Sequence, residues 1–262
     1  MKNTLIRFNF KMGLAHLIQA SLMVIIALFI LEDLQEFQPM IVAFHQDLDT
    51  TTNTLITVSR DLFTLPFALV TTFFLFLSAL FHFLVVFFKE RYLRGLEKHY
   101  NVFRWVEYAL SSSLLIALLA ILFGVRDIQT LTLIFAANAV MNLLGLEMEL
   151  TNQNTEKTRF LPYWLGWIIG VVPWIAILMY LFFSNNLDLV PWYAWAAIGG
   201  YFLFFNSFAI NMWLQYKKVG PYKDYVFGEK VYVWLSLIAK SVIAWIVFTG
   251  AIQTSDILNQ LF

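Results

Sequence analysis

Seven apolar runs, each close to the length that crosses a lipid bilayer, constrain the fold of this chain more than any other feature. A helix needs about 20 apolar residues to span the hydrocarbon core, and in lipid only a helix or a closed barrel satisfies its own backbone. Charged residues make up 13% of the 262 residues, about half the share found in a soluble domain. We therefore predict an all-α, multi-pass protein of the cell membrane with seven transmembrane helices, at Met12–Leu31, Leu62–Phe88, Tyr100–Val125, Ile128–Leu146, Phe160–Phe183, Pro191–Gln215 and Val231–Ile252.

No repeat, linker or low-complexity segment divides the chain, so we expect a single domain over residues 1–262. The first run follows Lys2, Arg7 and Lys11, as in a signal peptide, but it is long for one and lacks an A-x-A-type site. We interpret it as a helix. The absence of cysteine excludes disulfides and thiolate metal sites. No set of metal ligands has matching spacing, and the charge pattern does not indicate a nucleic-acid partner.

The lysines and arginines between the runs lie almost entirely on one side of the predicted bundle. Fourteen fall at the N-terminus or in the even-numbered loops, whereas Arg60 and Arg126 fall on the other side and Lys240 lies within a run. Because short basic loops stay in the cytoplasm, we predict a cytoplasmic N-terminus and an extracellular C-terminus. The fourteen are Lys2, Arg7, Lys11, Lys89, Arg91, Arg94, Lys98, Arg104, Lys157, Arg159, Lys217, Lys218, Lys223 and Lys230.

The first extracellular loop, Glu32–Asp61, is the only long loop. It contains six acidic residues and the stretch Thr50–Val58, whose β-branched composition favours strands. We expect a short β-hairpin in this loop. A solvated acidic loop remains the alternative interpretation.

Lys240 is the tenth residue of the last run and the only charged residue in it. An ammonium near the bilayer midplane costs at least roughly 2.5 kcal/mol, and from this depth the side chain is too short to reach either interface. Condensation with an aldehyde to a Schiff base would remove the free amine. Lys240 is therefore the leading candidate for a functional residue.

Glu107 is the only carboxylate well inside a run, and the outside half of the bundle contains no acid. A lone lysine and a lone glutamate in one bundle are costly apart and tolerable as a pair. Both parent helices start at the cytoplasm, and the Lys240 stem leans toward its helix N-terminus, which directs it toward Glu107. Arg104, one turn nearer the cytoplasm, could fix the carboxylate. The alternative is an interfacial Glu107 that simply pairs with Arg104.

Three further polar residues are predicted to lie in the cytoplasmic half. Ser236 is four residues before Lys240, on the same helix face, and could hydrogen-bond a Schiff base or a carboxylate. His16 and His82 could accept a proton near neutral pH. A helix-packing serine and satisfied core histidines are the plainer alternatives. The last three helices are also rich in aromatic residues, which could surround a flat polyene, although most must face lipid or the core.

Several strings resemble the heliorhodopsins, and together they cover nearly the whole chain in order. They are His16–Gln19 (HLIQ), Leu77–Phe83 (LSALFHF), Arg104–Ser113 (RWVEYALSSS), Phe204–Ala209 (FFNSFA) and Leu235–Ser241 (LSLIAKS). Members of that family are seven-helix retinal photoreceptors with a cytoplasmic N-terminus, which is the orientation that the charge count predicts independently. The match is poor around loop four, which contains Glu156.

The resemblance implies that Lys240 carries all-trans retinal as a protonated Schiff base, with Glu107 as its counterion. It implies a polar network of His16, His82, Ser236, Arg104, Asn138 and Ser112. It implies a retinal pocket that includes Gln19, Tyr108, Met141, Gly145, Trp164, Phe205 and Asn206. Glu149 matches an acid at the cytoplasmic end of the fourth helix. The first extracellular loop resembles a hairpin that packs across a homodimer.

We therefore expect a light sensor with a slow photocycle that signals to a cytoplasmic partner, and not an enzyme. A light-driven or light-gated ion transporter is the alternative within membrane function. Proton pumps resembling bacteriorhodopsin have a second carboxylate eleven residues after the counterion, where this chain has Leu118. A retinal-free membrane enzyme with Lys240 as nucleophile is a third interpretation, but it requires a polar substrate cleft that the sequence does not indicate.

Overall fold

A computed structural model describes residues 2–30, 37–183, 187, 190 and 192–261. Leu31, Pro191 and residues 32–36, which belong to predicted helix ends and to the predicted loop, lie outside the described residues. The helices are α1 (Lys2–Ile25, continued by a π-helical turn at Ile26–Ile30), α2 (Phe67–Phe87), α3 (Lys89–Glu97), α4 (Val102–Leu122), α5 (Ile128–Thr151), α6 (Leu161–Phe182), α7 (Trp192–Tyr216) and α8 (Tyr225–Leu261), with a 3₁₀ turn at Gly220–Lys223 before α8.

Seven of these helices are long and apolar enough to cross a membrane, which confirms the predicted number of spans. The additional helix, α3, is short and amphipathic. It buries Tyr92, Gly95 and Leu96 and exposes Arg91 and Arg94. The end of the bundle where α1, α4 and α8 begin is called the N-terminal face below. The orientation of that face in the membrane stays a prediction.

Several predicted helix ends were wrong by a turn or more. Helix α1 begins at Lys2, before the predicted start at Met12, and α8 ends at Leu261, past the predicted end at Ile252. Helix α5 continues to Thr151, past the predicted end at Leu146, and α8 begins at Tyr225, before the predicted start at Val231. The added turns bring Glu149 and Glu229 into the bundle interior. Apolar runs stop at charged residues, whereas a helix continues through them when the charges have partners inside the protein.

The predicted β-hairpin is present and longer than expected. Strands β1 (Met40–Asp49) and β2 (Thr54–Thr64) pair antiparallel, with a bulge after Ile41. Residues 62–64, predicted as the start of the second helix, belong to β2. The N–H of Val42 donates to the carbonyl of Arg126 at 3.0 Å, and Gln129 Nε2 donates to the carbonyl of Phe44 at 2.7 Å. The hairpin is therefore attached to the start of α5, at the end of the bundle called the hairpin face.

The bundle core is divided between an apolar half and a polar half. Toward the hairpin face, α4 contributes Leu115, Leu118 and Leu119 to a large apolar cluster that includes Phe74 and Phe248. Toward the N-terminal face, α2, α4 and α8 present buried charged and polar side chains.

Asp127 corrects the expectation that the outside half contains no acid. It is buried, caps α5 by accepting from the Thr130 N–H at 2.7 Å, and accepts from the Tyr180 hydroxyl at 2.8 Å. It therefore stabilises a helix terminus at the hairpin face and does not enter the apolar half.

Candidate functional site

Lys240 and Glu107 form a buried ion pair between α8 and α4. Their exposed fractions are 4% and 5%. Nζ of Lys240 also donates to Oγ of Ser78 on α2 at 2.8 Å. Ser78 donates to Oε1 of Glu107 at 2.7 Å, and Ser111, one turn along α4, donates to the same oxygen at 2.8 Å. Hydrogen bonds of this kind are what makes a buried ion pair tolerable.

The sequence did not single out Ser78 and Ser111, although a usable signal was present. Ser111 is four residues after Glu107, and Ser78 is four residues before His82, so each shares a helix face with a predicted site residue. Two serines that converge on one carboxylate oxygen hold the charge of Glu107 next to Lys240.

Arg104 does not serve the role that the sequence suggested. Its guanidinium pairs with Glu149 and Glu229 instead of Glu107, with its central carbon 4.0 Å from the Tyr232 ring centroid. The interpretation of Glu107 as an interfacial acid paired with Arg104 is therefore wrong. Glu107 is also not the only buried carboxylate, because Glu149 and Glu229 are each 1% exposed.

His16 and His82 lie together beside the ion pair. Their rings stack with centroids 5.6 Å apart, and His82 Nδ1 is 2.9 Å from Oδ1 of Asn9. Gly13 permits this approach, since a Cβ at that position would lie 3.0 Å from the His82 Cβ. Both ring nitrogens of His16, and the hydroxyl of buried Ser236, have no hydrogen-bond partner among the described residues.

A polar cavity adjoins Asn9, His82 and Ser236. Its wall includes His82, Glu107 and Ser236 at one end and Asn101, Arg104 and Glu229 at the other. The cavity brings predicted network residues together with Glu229, which the sequence did not single out because it lies outside the apolar runs.

A second cavity, the Lys240 cavity, lies on the other side of the lysine. It adjoins a third cavity between α5, α6 and α7. The two share Tyr108, Met141, Asn142, Phe205 and Phe208. A long apolar ligand would therefore pass between aromatic side chains with one end at the Lys240 amine, as in pockets that enclose small molecules.

Four of the seven predicted pocket residues border these two cavities. Tyr108, Met141 and Phe205 line the Lys240 cavity, and Gly145 lines the third cavity. Ser112 and Asn138, which were predicted for the polar network, line the Lys240 cavity instead of the polar cavity. Asn138 Nδ2 donates to the Ser112 hydroxyl at 2.8 Å. A Cβ at Gly145 would collide with the Trp105 ring, so the glycine makes room for that ring.

Three predicted pocket residues lie elsewhere. Trp164 is 58% exposed on the outer surface of α6, and Trp167, almost one turn later, lines the third cavity instead. Gln19 and Asn206 donate to backbone carbonyls of their own helices, at Ala15 and Phe202, and border neither cavity. Composition alone could not distinguish the cavity side of these helices from the lipid side, because aromatic residues occur on both.

The side chains around Lys240 suit an apolar ligand that carries an aldehyde group. The amine of Lys240 ends in the Lys240 cavity with a carboxylate that could balance a protonated nitrogen. Among the described residues, no three histidine, cysteine or acidic side chains are arranged to hold a metal ion.

The family model described as Heliorhodopsin matches residues 5–252, nearly the whole chain. No curated protein matches.

Proposed function

The chain belongs to the heliorhodopsin family of light-sensing retinal proteins, and on that premise we propose that it is a photoreceptor that binds all-trans retinal covalently through Lys240. The observation that carries the proposal is the position of Lys240. Its amine is buried at the end of an aromatic cavity and paired with a single carboxylate, Glu107.

When bound, retinal supplies the absorption of light and the change of shape that follows. The chain supplies the environment of the linkage nitrogen. Glu107 favours the protonated form of that nitrogen through its charge, and Ser78 and Ser111 fix the carboxylate. The polar cavity on the side of His82 and Ser236 gives a released proton hydrogen-bonding groups to occupy.

Reconstitution of the purified apoprotein with all-trans retinal tests the proposal. We expect a visible absorption band that is absent in Lys240→Ala, since Lys240 is the only lysine among the described residues that line these two cavities. Lys217→Ala, which removes an exposed lysine at the end of α7, is the matched control and should form the pigment normally. A coloured Lys240→Ala protein, or an unchanged protein that forms no pigment, would contradict the proposal.

Signalling through the N-terminal face is the second part of the proposal. The polar cavity and the buried charges lie in that half of the bundle, and the segment between α7 and α8 contains Lys217, Lys218 and Lys223. A spin label at Lys218 should change its mobility or distance to α3 after a flash. A label that reports no change while the pigment completes its light reaction would exclude this route.

We also propose that the hairpin contributes to a homodimer. It exposes apolar side chains that a soluble surface seldom groups together, namely Phe44, Leu48, Leu55 and Ile56. Light scattering of the detergent-solubilised protein should report a dimer, and Leu55→Asp should shift it toward the monomer. A monomeric unchanged protein would contradict the proposal.

A further inference from the structure

The cluster of Arg104, Glu149 and Glu229 has one more negative group than positive. All three side chains are buried, with exposed fractions of 6%, 1% and 1%. The other groups that hydrogen-bond the two carboxylates are neutral: Asn101, Trp105, Tyr92 and Tyr225. With both acids ionised the cluster carries a net charge of −1, and a buried charge without a counter-charge is costly. Binding one proton would make the cluster neutral.

The two carboxylates differ in how readily they could take that proton. Glu149 accepts from three groups that can only donate, namely Arg104 at Oε1 and the Asn101 N–H at 2.9 Å and the Trp105 indole at 2.7 Å at Oε2, and from the Tyr225 hydroxyl at 3.0 Å. One oxygen of Glu229 accepts from Asn101 Nδ2 at 2.6 Å and from the Tyr92 hydroxyl at 3.2 Å. The other oxygen of Glu229 accepts from Arg104, so only two groups that can only donate hold its charge, against three at Glu149. A hydroxyl can turn and accept, and Glu229, which is held by fewer fixed donors, takes a proton more readily.

Only Glu229 of this pair borders the polar cavity that also borders Glu107, His82 and Ser236. Glu229 and Lys240 are eleven residues apart on α8, or about 16 Å along the helix axis. The cavity therefore reaches from Glu107, which is paired with Lys240, to this carboxylate on the same helix as the lysine. Further ionisable groups that face the path or the cluster are His16, Tyr108, Tyr225 and Tyr232.

We propose that Glu229 is the final acceptor of the proton that the Lys240 nitrogen releases after illumination. The inference rests on the proposed function. One N–H bond breaks at the linkage nitrogen and one O–H bond forms at Glu229. The linkage nitrogen goes from +1 to neutral, the cluster goes from −1 to neutral, and Glu107 keeps its −1 without a partner. The unpaired charge thus moves from the cluster to Glu107, where it attracts the proton back in the dark.

Infrared difference spectroscopy of the reconstituted pigment tests the assignment. Illumination should produce a C=O band of a protonated carboxylic acid that is lost in Glu229→Gln and shifted in Glu229→Asp. The control is Glu147→Gln, which changes an exposed acid on α5 and should keep the band. In Glu229→Gln the yield of the unprotonated linkage should fall about tenfold or more, since the acceptor is missing.

A second readout needs no retinal. Glu229→Gln removes the surplus charge while an amide can still hydrogen-bond Asn101 and Tyr92. The melting temperature of the apoprotein should therefore stay equal or rise, whereas Glu149→Gln, which leaves donors unpaired, should lower it. A simple structural ion pair would instead be weakened by either change.

The outcomes separate the two proposals. A chain that forms no pigment refutes the proposed function. A pigment that deprotonates with no carboxylic-acid band indicates a histidine acceptor and overturns the inference, as does a band that survives unchanged in both Glu229 variants. If Glu229→Gln does not fold, the band shift in Glu229→Asp decides alone.

Discussion

Each buried charge of this protein is tolerated because of particular neighbours. Lys240 has Glu107 and Ser78, and Glu107 has two serines besides the lysine. Removing one member of such a pair leaves the other charged and desolvated, at a cost of about 3–5 kcal/mol. The same charges set the energy of a chromophore bound at the nitrogen.

Glu107→Gln should therefore affect both stability and colour. We expect the apoprotein to melt at a lower temperature, and the pigment to absorb further to the red, because the positive charge is no longer held at the nitrogen. Thermal unfolding and a visible spectrum measure the two effects, with Glu147→Gln as control. An unchanged spectrum together with unchanged melting would refute the counterion role.

The two tryptophans near the start of α6 make a matched pair for testing the cavity. Trp167 lines the third cavity and its ring lies 6.4 Å from that of Phe205, whereas Trp164 faces outward. Trp167→Ala should shift the absorption band and weaken pigment stability by roughly 2 kcal/mol, less than the 3–5 kcal/mol for a fully buried tryptophan. Trp164→Ala should do neither. Equal effects of the two changes would show that the cavity does not hold the ligand.

At the scale of single residues, the sequence predicted those whose chemistry is rare in a membrane. Lys240 and Glu107 stand out because a charge inside an apolar run is costly, and the structure pairs them. Glu229 was missed because it lies beyond the end of a run, where an acid is unremarkable. Trp164 was placed wrongly because tryptophan suits both a ligand cavity and lipid.

At the scale of elements, the approach of α1 to α2 depends on Gly13. A Cβ there would lie 3.0 Å from the Cβ of His82 and 3.1 Å from the ring of Phe83, so a larger side chain would collide with both. Gly199 on α7 offers a control, since a Cβ there would meet no atom within 4 Å.

Gly13→Leu should separate α1 from α2 and destabilise the protein by about 1–3 kcal/mol through overpacking. Gly199→Leu should be neutral or stabilising by up to about 1 kcal/mol, because leucine favours a helix over glycine. Thermal unfolding in lipid or detergent compares the two. If Gly13→Leu melted at or above the temperature of Gly199→Leu, the close approach would have no energetic importance.

The elements themselves were largely predictable, and their ends were not. Seven helices and the hairpin follow from run length and from the β-branched residues around Thr54. The amphipathic helix α3 was missed because its charged face interrupts any apolar run. The ends of α5 and α8 depend on Arg104, a residue on a third helix, which sequence periodicity cannot take into account.

At the scale of the whole molecule, the apolar half of the bundle argues against ion pumping. Between Glu107 and the hairpin face, the inner side of α4 is formed by Leu115, Leu118 and Leu119, which offer no site to a moving proton. We expect cells that contain the pigment to show no light-dependent change of external pH that a protonophore abolishes. A sustained change of that kind would favour the transport alternative.

The same division of the bundle has an electrical consequence. A membrane voltage falls mostly across the region of low polarisability, which here is the leucine-rich half next to the hairpin face. The ion pair and the acidic cluster would then sit close to the potential of the solution at the N-terminal face. A charge that moves among them crosses only a small part of the membrane voltage. A flash should therefore produce almost no transient photocurrent, and the resting voltage of the cell should hardly change the rate of dark recovery. Such a photoreceptor would respond to light in the same way at any membrane voltage.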